Sequence, residues 1–92
     1  MAKFLMLGKY SLEGVKDISS ARTKKVVSLI EKAKGKVEAM YALLGNYDLA
    51  FIVELPNNEE AIKISVEISK LTGISFTTSF ALPVEEFDKL VG

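Results

Sequence analysis

The chain has 92 residues, 49% of them apolar and 26% charged, with 12 Lys+Arg against 12 Asp+Glu and a formal net charge of zero. That length fits one domain, residues 1–92, and a neutral balance removes any general attraction to nucleic acid or an anionic membrane. With no cysteine and no histidine, the chain lacks thiolate nucleophiles, disulfides, the usual general base near neutral pH and the commonest transition-metal ligands.

The first predicted element is a strand from Lys3 to Tyr10. Its apolar run, Phe4 to Leu7, is too short for a signal-peptide core or a membrane span. The cytoplasm is therefore the expected location. Ser11-Leu12-Glu13-Gly14 reads as a turn or loop. A helix follows, beginning at Val15 or Ser19 and ending at Lys34, with Ile18, Val26, Ile30 and Ala33 as its apolar stripe. Gly35 is the expected C-cap.

Two strands, Val37 to Leu44 and Leu49 to Leu55, flank Gly45-Asn46-Tyr47-Asp48. Gly and Asn both tolerate positive φ, and Asp can accept from nearby backbone amides, so the tetrapeptide predicts a hairpin turn. Pro56 stops the third strand. Asn57, with Glu60 three residues on, predicts the start of a second helix over Glu59 to Thr72. Its buried stripe is expected at Ala61, Ile64, Ile68 and Leu71. A fourth strand runs from Ile74 to Leu82, with Ser75, Thr77 and Ser79 on its polar side. Pro83 ends it. A short terminal helix, Val84 to Leu90, is expected to turn Val84, Phe87 and Val91 inward.

The order is β-α-β-β-α-β, which predicts an α+β, ferredoxin-like fold: a four-stranded antiparallel sheet with two helices on one face and a short C-terminal helix. The first three strands carry apolar residues on both sides. The helices cover one side only, so the other is expected to pack against a second copy, sheet to sheet, as a homodimer or higher oligomer. Polar groups at that seam would line a pocket for a small-molecule ligand. Tyr10, Tyr41, Tyr47, Ser75, Thr77 and Thr78 are the candidates, although amphipathic tyrosines commonly pack their rings and leave only the hydroxyl wet.

No residue set forms a catalytic signature, so catalytic residues are unassigned, and no metal or cofactor is expected. Glu59-Glu60 and Glu85-Glu86 are adjacent in helices and do not face one another. The lysines of the first helix interleave with acids. The strand positions that stack bases in RNA-binding relatives of this fold are mostly aliphatic here, so no nucleic acid is expected.

Gly45-Asn46-Tyr47-Asp48 resembles the turn that names the GYD domain family. Gly8-Lys9-Tyr10-Ser11, Glu13-Gly14, Arg22 in the first helix, Gly35-Lys36, Glu54-Leu55-Pro56 and Thr77-Thr78 resemble the rest of that family's pattern over nearly the whole chain. Ala33-Lys34-Gly35 stands where the family has a double glycine. The resemblance implies a dimeric α+β barrel assembled through the sheets, and no activity. It makes Tyr10, Arg22, Tyr47, Asp48 and Thr77 the candidate ligand-binding residues. The same turn and strand order resemble the effector-binding domain of Lrp/AsnC regulators, which implies a stand-alone small-molecule-binding or regulatory module. Alternatives are a small enzyme resembling dimeric-barrel monooxygenases or muconolactone-type isomerases, or a purely structural assembly module.

Overall fold

The computed structural model describes residues 1–92 and has eight elements. They are β1 (Ala2–Tyr10), α1 (Leu12–Lys16), α2 (Ser20–Lys32), β2 (Lys36–Ala42), β3 (Leu49–Leu55), α3 (Asn58–Thr72), β4 (Ile74–Ala81) and α4 (Val84–Val91). The strands form one antiparallel sheet in the order β2-β3-β1-β4. This is the ferredoxin-like arrangement that the element order predicts.

Alternation decides which side chains meet the helices. Phe4 and Met6 of β1 lie opposite Val53 and Phe51 of β3, and all four are buried. Val26 and Ile30 of α2 and Ala61, Ile64 and Ile68 of α3 close over them. Each fully buried aliphatic side chain in that layer contributes about 1.5–3 kcal/mol. Phe4 meets Phe80 edge-on at 6.0 Å, and Phe51 meets Phe76 at 5.3 Å, which extends the core toward β4.

Several local expectations are corrected. The segment read as a loop, Ser11 to Gly14, starts a short helix, because the Ser11 hydroxyl accepts from Gly14 N at 2.9 Å and caps α1. Ser19 caps α2 in the same way through Arg22 N, which separates the two helices and leaves Ile18 outside both and exposed. In α3 the fourth buried position is Thr72, and Leu71 is exposed. Thr72 tolerates burial because its hydroxyl donates to Ile68 O at 2.7 Å and accepts from Ile74 N at 3.1 Å.

The C-terminus of α2 also differs from expectation. Ala33 is the cap, and Lys34, not Gly35, takes the left-handed conformation, with φ 64°. Gly35 is needed for space. A Cβ there would lie 2.7 Å from the Glu54 carbonyl oxygen and 2.9 Å from that of Ile30. In β2 a bulge between Val37 and Ala39 interrupts the alternation. Val37 therefore joins Met40 on the helix side instead of sharing a side with Ala39 and Tyr41. Finally, α4 has no buried residue, and Val84, Phe87, Leu90 and Val91 are all exposed. The inward turn expected of this helix does not occur, because α4 makes only sparse contact with the chain's other elements and leaves its apolar side exposed.

Candidate functional site

The hairpin between β2 and β3 is latched to the end of β1. Leu43 N donates to Asp48 O at 2.8 Å and closes a four-residue loop, Leu44 to Tyr47. Asp48 N donates to Gly8 O at 2.8 Å, and Tyr10 N donates to the Asp48 carboxylate at 2.8 Å. Lys9 Nζ reaches the Asn46 carbonyl at 2.8 Å. Gly45 has φ 143°, a conformation that disfavours any side chain, although a Cβ there would meet nothing within 4 Å. Two of the turn's residues therefore have assigned work: Gly45 supplies the backbone angle, and Asp48 ties the loop to β1. Tyr47 is half-buried, and Leu44 at the tip is fully exposed.

The structure brings Tyr10, Tyr47 and Asp48 to one end of the sheet, through the Tyr10 to Asp48 bond and chain adjacency. Arg22 does not join them. Its guanidinium donates to Gly14 O at 2.7 Å and braces the α1 turn. The chain's one ion pair lies elsewhere, between Lys3 and Glu38. Thr77 lies opposite Leu7 on the uncovered side of the sheet, whereas Tyr10 lies opposite the buried Ile74 on the helix side. Thr78 also faces the helices, where its hydroxyl lies 2.6 Å from that of Ser65.

The uncovered side carries the expected hydroxyl row along β4 and, in addition, a charged end that was not expected. Its middle is apolar, with Leu5 and Leu7 opposite Ile52 and Ala50, and Ala39 and Tyr41 beyond them. Ser75, Thr77 and Ser79 border it along β4. At one end Glu54 lies opposite Lys3 on one neighbour and Lys36 on the other, with Glu38 alongside. Lys3 Nζ donates to both Glu38 oxygens at 2.7 Å. That hydrogen bond, ahead of a further one from Glu54, holds the Glu38 carboxyl below the usual carboxylate range, and the Glu38 bond raises the Lys3 ammonium above its ordinary value. Lys3 and Glu54 stand as charges at alternate positions of otherwise apolar strands, which was the available signal. The β2 bulge hid the Glu38 partner. No group of acidic side chains has the arrangement needed to hold a metal ion.

A family model for the GYD domain matches residues 4–91. The chain belongs to the GYD domain family. No curated protein sequence matches it. Among solved structures, this GYD domain is similar to the leucine response regulatory protein of Mycobacterium tuberculosis, with 10% identity and a TM-score of 0.59, over 89% of this chain and 51% of that one. A second structure, of a point mutant, is similar at 10% identity and a TM-score of 0.59, over 89% of this chain and 50% of that one. The GYD chain thus spans about half the length of the structures it matches, and the likeness is one of fold. No helix is long and apolar enough to cross a membrane.

Proposed function

We propose that this GYD domain acts as one small-molecule-binding or regulatory unit in the cytoplasm, assembled as a homo-oligomer by packing its uncovered sheet faces. The observation that carries the reading is that uncovered face: an apolar centre at Leu5, Leu7 and Ile52, bordered by the β4 hydroxyls and closed at one end by four charges. An apolar patch framed by polar groups is the form of a protein interface, and imperfect closure between two twisted sheets leaves a polar-lined cavity. Thr77 would contact the ligand from the face itself. Tyr47 and Asp48 would act at the rim, Tyr10 through its backbone bond to Asp48, and Arg22 by keeping the neighbouring α1 turn in place. The similar regulator is by name a leucine-response protein, so an amino-acid-sized ligand is the first class to test.

Native mass spectrometry of freshly purified protein tests the reading. An even-numbered assembly carrying added small-molecule mass is expected, with the assembly reduced in size and the added mass lost in Leu7→Asp. A bare monomer for the unaltered chain would overturn it.

A further inference from the structure

We propose that α4 is an exchanged arm that docks in the groove between α3 and β4 of a second copy of this chain. At 100° per residue, Val84, Phe87, Leu90 and Val91 fall within an arc of about 120°, and Glu85, Glu86, Asp88 and Lys89 occupy the rest. So clean a division is characteristic of a helix lying on a surface, yet Leu90 is 74% exposed and Phe87 51% exposed.

The same chain presents a vacant apolar groove of about 450 Å³ between α3 and β4. Ile62 and Val66 form one wall, Phe76 and Phe80 the other, with Phe4 at the base. Phe80 is 59% exposed there, an unusual cost for an aromatic ring that already touches the core. An eight-residue helix is about 12 Å long, so α4 spans two turns of α3.

The connector selects whose groove is filled. Only Leu82 and Pro83 separate β4 from α4. A residue before proline is held extended, and Pro83 itself has φ −54° and ψ 139°. α4 makes only sparse contact with the rest of its own chain, where Glu86 lies near Lys3, and none of its residues lines the groove between α3 and β4. Its own groove would require a reversal within those two residues. The groove of a neighbour requires none, and a two-fold axis makes the exchange reciprocal.

The area is sufficient. Taking about 150–200 Å² for a fully exposed large apolar side chain, the exposed parts of the α4 stripe and of Ile62, Val66 and Phe80 amount to roughly 1,300–1,800 Å² for the reciprocal pair. Stable specific interfaces bury about 1,200–2,000 Å². The groove lies on the helix side of the sheet, so this contact is separate from the sheet seam and holds or fails without it.

The absence of cysteine makes the test direct. A tagged chain carrying Leu90→Cys is mixed with an untagged chain carrying Val66→Cys and mildly oxidised. The expected product is a mixed disulfide of intermediate size. Only like-with-like disulfides, or an intramolecular bond in the double variant, would overturn the proposal. In parallel, Phe87→Glu with Leu90→Glu should halve the assembly mass while leaving the circular dichroism of the body intact. An unchanged mass also overturns it. Leu7→Asp, on the opposite side of the sheet, should leave the mixed disulfide in place, so failure of the sheet seam and failure of the arm read differently.

Discussion

Asp48 is the residue on which the hairpin turns, because one side chain and its own backbone serve three bonds. Its N–H donates to Gly8 of β1, its C=O accepts from Leu43 just after β2, and its carboxylate takes the Tyr10 amide. Hydrogen bonds to a charged acceptor are worth about 1.5–3 kcal/mol, and partial exposure places this one toward the lower end. Asp48→Ala should therefore lower stability in urea by about 1–2 kcal/mol, and exchange of the Tyr10 amide should accelerate with it. Asp48→Asn, which keeps an acceptor, should lose less. Lys34 is the opposite case. Its left-handed backbone costs about 1–2 kcal/mol that a glycine would not incur. Lys34→Gly should raise the urea midpoint, equivalent to a gain of about 0.5–1 kcal/mol, with the slope of the transition unchanged.

Among the elements, α3 has local signals and packing in agreement. Asn57 accepts from Glu60 N at 2.8 Å, two acids sit in the first turn, and Ala61, Ile64 and Ile68 recur on one face. Asn57→Ala should cost about 1 kcal/mol, and Ile68→Ala about 2–5 kcal/mol because the side chain is fully buried. Thermal unfolding of the two variants should rank them in that order. In α1 and α2 the signals were present but divided: Ser11 and Ser19 each cap a helix, and a single apolar stripe drawn through Ile18 merges them. The bulge in β2 is a comparable case. One extra residue at Glu38 shifts Val37 to the other side of the sheet, and no residue type in that stretch announces it.

For the molecule as a whole, the two sides of the sheet and the projecting helix leave three surfaces of different character. The helix side is sealed except along β4, the uncovered side is apolar between polar borders, and α4 stands apart. The charged end of the uncovered side makes a pH prediction. Glu38 is lowered, so its share of stability is complete above the ordinary carboxylate range and is lost as pH falls through its folded value. Lys3 is raised, so its share is complete below the ordinary lysine value and is lost as pH rises through its folded value. The difference in Tm between the unaltered chain and Lys3→Met/Glu38→Gln should be flat from about pH 5 to 10 and shrink beyond both ends. A difference that grew toward low pH would contradict the pairing.

The fold class was legible because periodicity and punctuation are local properties. Alternation along Phe4 to Leu7 and Phe51 to Leu55, the α3 stripe, Pro56, Gly73 and Pro83 specify the order of strands and helices, and that order admits few topologies. The Gly-Asn-Tyr-Asp turn could be recognised for the same reason. The partners of each polar group were not legible, because they lie far away in sequence. Asp48 meets Tyr10 across 38 residues, Lys3 meets Glu38 across 35, and Arg22, read as a site residue, spends its guanidinium on Gly14. The helical pattern of α4 marks an apolar face, but a pattern carries no information about what stands opposite it. Only the tertiary structure shows that face left exposed instead of packed on the chain's own core.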